Sequence, residues 1–429
     1  MLKELNAAFN SKLIFNVSRE WLPPFQLIRI DLSSCKIENG FPQWLRNQRK
    51  LHRLKLSNTT ISGPLPTWLQ TMPIIPFIDL SHNNLSGSLI NLPSGDTNID
   101  DDSDFIQPRL YLQNNNFNES IPRSLCKRTD LVNLDLSKNS LTGKIPKCLK
   151  NLYKLQFLRL SSNKLRGVLP SFIGNFSWLS SLNLDDNNFS GELPAEIWNL
   201  RILAVLDLGD NAFCGKIPEW IGEKVNRLLV FRLHNNNFTG EIPRSLCKNL
   251  ELQILDVAHN NLTGTIPHCL GELQGMLQNH YHIDFGEGTE EGLIQVMKGT
   301  SLEYTKTWYY VNNIDLSSNK LVGEIPVELT ALYALTLIDP SIYGGNKDLC
   351  GAPLPKICPN HDDPTATTKN KYEAVDGPNK VWFHVDIICG FATGFWGVII
   401  VLVLKKHRKK SDGMTILPSV QLKSLASAN

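Results

Sequence analysis

One phrase returns at fixed intervals along the chain. LDLSKNSLTGKIP at residues 134–146 is followed by LRLSSNKLRGVLP, LNLDDNNFSGELP, LDLGDNAFCGKIP, FRLHNNNFTGEIP and LDVAHNNLTGTIP. Its asparagine marks the spacing: Asn115, Asn139, Asn163, Asn187, Asn211, Asn236 and Asn260 are 24 residues apart, with one step of 25. Asn83 and Asn319 extend the series, and blurred copies place Thr59 and Cys35 in the same slot, which makes eleven turns. A fixed period of this size specifies a solenoid, because one such unit cannot bury its own apolar side chains and needs a neighbour on each side.

Each part of the phrase has a mechanical reason. Leu134 and Leu136 alternate with Asn133, Asp135 and Ser137, which predicts a short strand with leucines inward and polar residues outward. Stacked turns then pair these strands into a parallel sheet, about 4.8 Å from one to the next. The asparagine is placed to satisfy backbone groups where the chain leaves the strand, as a ladder through the stack. Cysteine is an accepted substitute there, so Cys35 reads as structural. Gly143 permits the tight backbone that follows, and Ile145-Pro146 turns the chain back across the convex side.

The GxIP signature, in Gly143-Lys144-Ile145-Pro146, Gly240-Glu241-Ile242-Pro243 and Gly323-Glu324-Ile325-Pro326, resembles the plant extracellular leucine-rich repeat over residues 28 to about 337. The fold class this implies is an α/β-type leucine-rich-repeat solenoid with a parallel β-sheet on its concave face. Two further phrases, FNVSREWLPPFQLIRIDLSSC at residues 15–35 and MKGTSLEYTKTWYYVNNIDLSSNKLVGEIPVELTALYAL after residue 296, resemble plant receptor-like proteins of the ethylene-inducing-xylanase-receptor type. The second lies where the asparagine spacing opens to 59 residues, so an island insertion is expected at 276–310, with Lys298, Gly299 and Tyr304 in its most typical positions. The resemblance implies a receptor for an extracellular peptide, protein or glycan, working through a leucine-rich-repeat receptor kinase adaptor and a co-receptor. Measured against that family the chain reads as N-terminally truncated and short of several repeats after the island.

The organisation expected is a partial first repeat at 1–27, solenoid at 28–275, island at 276–310, last repeat at 311–340, cap at 341–360, juxtamembrane linker at 361–386, membrane helix at 387–404 and cytoplasmic tail at 405–429. Residues 387–404, IICGFATGFWGVIIVLVL, carry no charge and are followed by Lys405-Lys406-His407-Arg408-Lys409-Lys410. That length spans a bilayer and the basic cluster sets a cytoplasmic C-terminal side, which predicts a single-pass type I protein, and the family resemblance implies the plasma membrane. Gly390 and Gly394 form GxxxG, a spacing that lets membrane helices pair closely. The 25 residues after Leu404 are too few for a kinase domain.

Among nine cysteines, Cys126 and Cys148 are 22 residues apart, as are Cys247 and Cys269. In a 24-residue turn that spacing puts each pair on neighbouring coils, either as disulfides on the convex side or as buried thiols. Cys350 and Cys358 resemble the paired-cysteine cap of the family, Cys214 has no evident partner and Cys389 lies in the apolar stretch. Eight N-x-S/T sequons stand at Asn16, Asn58, Asn84, Asn118, Asn175, Asn188, Asn237 and Asn261; repeat consensus alone produces such sequons, but most are expected to be occupied in a secreted ectodomain.

Outward strand positions that abandon Asp and Ser are the candidate ligand contacts: Arg109, Tyr111, Phe157, Arg159, Arg232 and His234, with Lys298 and Tyr304 on the island. With 43 basic and 41 acidic residues the formal charge is only +2, and no nucleic-acid patch is evident. His280, His282 and Asp284 share one polar loop without further metal-ligand support, Asp185-Asp186 is repeat consensus, and no nucleophile elbow or phosphate loop occurs. No enzyme activity, metal or cofactor is expected. The competing readings are a soluble repeat protein like the inhibitors of microbial polygalacturonase, and a non-signalling decoy.

Overall fold

The structure, a computed structural model, describes residues 2–358 apart from residues 19, 39, 94–106, 278–292, 298–299, 305–311 and 331–338. The expectations that fall on Lys298, on the His280, His282 and Asp284 loop, and on the linker, membrane helix, Gly390, Gly394 and tail lie outside the described residues. Among the described residues no helix is long and apolar enough to cross a membrane.

Every turn opens with a three-residue strand. Asn133–Asp135, Phe157–Arg159 and Ser181–Asn183 pair in parallel, with Leu134 opposite Leu158 and Leu158 opposite Leu182. Twelve described strands, from Glu4–Asn6 to Asn313–Asp315, join in strict chain order into one such sheet. Because the register never slips, the middle residues Leu110, Leu134, Leu158, Leu182, Leu206, Phe231 and Leu255 form one line, each with no exposed surface. They belong to a single apolar core that runs from Leu27 to Leu349.

The asparagines stitch consecutive turns together. The Asn163 Nδ2 group donates to the Leu160 and Ser161 carbonyls of its own turn and to the Leu136 carbonyl of the turn before, at 3.0–3.1 Å. Its Oδ1 accepts from the Leu141 amide at 2.9 Å, again in the preceding turn. Asn187, Asn211, Asn236 and Asn260 repeat the arrangement. The backbone cooperates: the residue before each asparagine takes positive φ, 51° at Lys138 and 52° at Asp186, and Gly143 (φ 83°) sharpens the exit.

Beyond this corner, short strands including Lys164–Gly167, Asn188–Gly191 and Asn237–Glu241 pair into a second parallel sheet. A proline then starts a 3₁₀ helix, as in Lys147–Asn151, Ser171–Asn175 and Ala195–Asn199. A tight turn returns the chain to the concave strand.

The stack extends past both ends of the phrase read from the sequence. At the start, LNAAFN puts Asn10 in the slot, where it donates to the Ala7 carbonyl at 2.8 Å and follows Phe9 at φ 62°. At the other end Asn346 accepts from the Leu321 amide at 3.0 Å and donates to the Leu316 carbonyl at 3.0 Å, so the cap is itself a degenerate turn. The long insertion leaves the stack unbroken: Ile254–Asp256 pairs directly with Asn313–Asp315, and Asn319 reaches back to the Val257 carbonyl at 3.0 Å. Met276 is fully buried in the solenoid core, so the insertion starts after it rather than at it. Within the insertion Leu293–Met297 and Thr300–Tyr304 pair antiparallel.

Among the described residues three disulfides pin the convex side and the cap. Cys126–Cys148 and Cys247–Cys269 join 3₁₀ helices of successive turns with Cα separations of 5.6 and 5.8 Å, and Cys350–Cys358 closes the last turn. Among the described cysteines Cys35 and Cys214 are free; the Cys35 thiol donates to the Ala7 carbonyl at 2.9 Å.

Removing one ladder side chain strands several buried backbone groups at once. Asn163→Ala is expected to lower unfolding free energy by about 2–3 kcal/mol, read from the urea midpoint. Asn163→Thr should cost less, since Thr59 holds that slot with a bond to the Leu56 carbonyl at 2.9 Å. A loss below about 0.5 kcal/mol for Asn163→Ala, inside ordinary surface variation, would contradict the role given to the ladder.

Candidate ligand-binding face

The strict register arranges the outward strand positions in columns, one residue per turn. One column runs Arg53, Phe77, Arg109, Asn133, Phe157, Ser181, Val205, Val230 and Ile254; the next runs Lys55, Asp79, Tyr111, Asp135, Arg159, Asn183, Asp207, Arg232 and Asp256. His234 follows in a third, above Gly209. All six candidate contacts on the solenoid are thus on the concave face. They form two separate groups.

The first group is aromatic and cationic. Tyr111 meets Phe77 edge-on at 5.8 Å between centroids and accepts a hydrogen bond from Asn133 at 3.0 Å. Arg53 and Lys55 stand 5.0 and 5.5 Å from the Phe77 ring centroid, within reach of a cation–π attraction. Arg109 donates to Gln107 at 2.9 Å. Arg159 lies 5.5 Å from the Phe157 ring and 3.7 Å from Asp135. Sequence reasoning missed Arg53, Lys55 and Phe77, although the same alternation around Ile78 marks them.

The second group is ionic. Arg232 lies between Asp207 at 2.8 Å and Asp256 at 3.6 Å. His234 reaches Asp210 at 2.9 Å and Asp256 at 3.3 Å. Gly209 makes this possible, because a Cβ there would collide with the His234 ring. Arg232 and His234 were expected as candidate ligand contacts. Both are paired with carboxylates, because stacking brings their columns alongside acids on the adjacent turns. Arg109, Tyr111, Phe157, Arg159 and Arg232 are also each less than a tenth exposed, so alternation locates the face but not its burial. The consensus acids are engaged too: Asp135 accepts from the Ser137 amide at 3.0 Å and from its hydroxyl.

Titration follows from this crowding. Burial pulls the His234 imidazole down, but the hydrogen bond to Asp210 and the charge of Asp256 more than reverse it, and its pKa is raised. The same hydrogen bond is the main cause that holds the Asp210 carboxyl below its usual value. Burial, with the Asp207 charge adding, pushes Asp185 up to about 8.

Of the two island candidates, Tyr304 ends the described strand Thr300–Tyr304, and Lys298 lies outside the described residues. Among the described residues no three His, Cys, Asp or Glu side chains converge to hold a metal.

The Leucine Rich Repeat family pattern matches residues 130–152, 154–176, 178–200, 227–249 and 251–273. Among curated proteins, the chain is 51% identical over 47 residues to the receptor-like protein EIX1 of Solanum lycopersicum, covering 11% of this chain and 4% of that one. To EIX2 of the same plant it is 30% identical over 181 residues, covering 25% and 18%. The chain carries leucine-rich repeats and is similar to plant receptor-like proteins. Among solved structures, the Arabidopsis receptor kinase HAESA ectodomain, in complex with an IDA peptide hormone, superposes with a TM-score of 0.56 at 26% identity, over 78% of this chain and 52% of that one. The chain therefore spans about half of the HAESA ectodomain and under a fifth of either tomato relative.

The raised pKa of His234 means that the folded protein holds its proton more tightly than the unfolded chain. Its stabilisation is complete below the ordinary value of 6.5 and disappears as pH rises through the folded value. Asp185 acts in the same sense: the cost of ionising it in place sets in above 3.8 and is complete above about 8. The melting temperature is expected to be higher at pH 6 than at pH 9, and the difference to shrink in His234→Gln. A melting temperature that climbs from pH 6 to 9 would contradict the assigned ionic network.

Proposed function

We propose that this protein is a cell-surface receptor-like protein whose repeat region lies outside the cell, binds a peptide or protein elicitor and signals in defence through kinase partners. The likeness to the EIX receptor-like proteins of tomato carries this reading. HAESA, the structural relative at 26% identity, holds a peptide hormone on a leucine-rich-repeat ectodomain. The concave face supplies the chemistry for such a ligand. Its cation–aromatic group around Phe77 and Tyr111 suits apolar and acidic side chains, while the ionic group around Arg232 has carboxylates in excess and suits a ligand cation. In this reading residues 387–404 form the membrane helix, Gly390 and Gly394 its pairing face, and the island, through Lys298 and Tyr304, part of the ligand site. A receptor kinase adaptor would supply the catalytic step inside the cell.

The test is to express the chain in plant cells, wash membranes with alkaline carbonate, and treat them with a glycan-removing enzyme. Retention in the washed membranes together with a mobility shift is the expected result. Release of a shifted band by carbonate would favour the soluble inhibitor-like reading, and no shift would contradict an extracellular repeat region.

A further inference from the structure

The eight sequons divide unequally between the two flanks of the solenoid. Asn84, Asn188, Asn237 and Asn261 open strands of the second-sheet side, Asn16 and Asn118 immediately follow such strands, and Asn58 sits at the ladder corner. Asn175 alone ends a 3₁₀ helix, Ser171–Asn175, at the turn that leads back to the concave strand.

That opposite flank carries an unusual surface. Between buried Phe176 and Leu179 the chain exposes Ser177 and Trp178; in the turn before, Tyr153 and Lys154 stand between buried Leu152 and Leu155; in the turn after, Arg201 and Ile202 stand between Leu200 and Leu203. Tyr153, Trp178 and Ile202 are 54%, 60% and 36% exposed. Trp178 and Ile202 take the same position on adjacent turns and Tyr153 stands one position earlier on the turn before, so the three form a short staggered apolar strip. Polar pairs bound it: Thr129-Asp130 on one side and Asn226-Arg227 on the other.

Asn151, Asn175 and Asn199 occupy the same slot in these three turns, and only the middle one is followed by the x-Ser of a sequon. The Asn175 side chain is exposed, and the backbone folds tightly after it: the Ser177 amide donates to the Asn175 carbonyl at 3.0 Å and the Leu179 amide to that of Phe176 at 2.8 Å. The glycan attachment point and Trp178 therefore flank one tight turn at the centre of the strip.

We propose that the N-linked glycan of Asn175 folds back onto Trp178 and its neighbours Tyr153 and Ile202, and serves as the cover of this flank. The apolar C–H faces of the first sugar rings complement an exposed indole face, while their hydroxyls stay in water and beside Lys154 and Arg201. The other seven sugars project from the opposite flank and the adjoining corner. This inference rests on the extracellular reading, since only a chain in the secretory lumen receives such sugars.

The experiment uses the full chain purified from plant cells. Peptide mass mapping reports occupancy at each sequon, and binding of a hydrophobic dye and thermal unfolding are compared for the wild type, Asn175→Gln, Asn188→Gln, Trp178→Ala and Asn175→Gln/Trp178→Ala. Asn175 is expected to be modified. Asn175→Gln should raise dye binding at least twofold and lower the melting temperature by about 2 °C, whereas Asn188→Gln should do neither. In the Trp178→Ala background the Asn175→Gln change should have no further effect. If Asn175→Gln is poorly secreted, enzymatic trimming of the folded wild type gives the same comparison. Additive effects of the two substitutions, or an unmodified Asn175 beside occupied sequons elsewhere, would overturn the proposal; no sugar at any sequon would overturn the extracellular reading itself.

Discussion

The hydrogen bonds from one asparagine per turn to the backbone of the turn before are the interaction on which the rest of this structure depends. A chain that reverses direction every few residues leaves amides and carbonyls at its corners that neither sheet can satisfy. One carboxamide answers on both counts, with an NH₂ group that reaches carbonyls of two turns and an oxygen that accepts an amide. The bond fixes the offset between turns, and the offset fixes everything on the surface. Leucines align inside because of it, and columns of unlike side chains align outside.

That alignment is what gives the concave face its chemistry. Arg232 is paired on both sides only because Asp207 and Asp256 occupy its own column position in the adjacent turns. Gly209 and His234 are matched in size for the same reason. A strand pattern that is uniform in its inward leucines can thus write different groups along its length, one aromatic and cationic, one ionic. Along the opposite edge Trp178 and Ile202 hold the same position on adjacent turns, with Tyr153 one position earlier on the turn before, although none of them is near the others in sequence.

Much of this was legible from the words themselves. Leu134 and Leu136 with a fixed asparagine announce strand, core and ladder in a single phrase, and the period supplies the stack. The terminal turns were harder to read, because Ala7 replaces a leucine around Asn10 and Tyr343 does so before Asn346, so the phrase fades where the geometry persists. Alternation also placed Arg232 and His234 on the correct face, yet it carries no information about what stands one turn away. Their pairing became visible only when register put residues 22–25 positions apart side by side. Part of the cation–aromatic group was overlooked for a related reason: Arg53 and Lys55 belong to a turn whose phrase is blurred, and their contacts with Phe77 cross turns.

The most direct test of the ladder as the organising bond is hydrogen exchange at the amides that it alone protects. The Leu141 amide donates to Asn163 Oδ1, whereas the Leu160 amide donates to the Asn183 carbonyl of the sheet. In Asn163→Ala, exchange at Leu141 should accelerate by at least a hundredfold while Leu160 stays protected and the neighbouring Leu165 amide, held by Asn187, changes little. Unchanged protection at Leu141 would mean that the stack is held by its core and sheet alone, and that the asparagines decorate an arrangement they do not set.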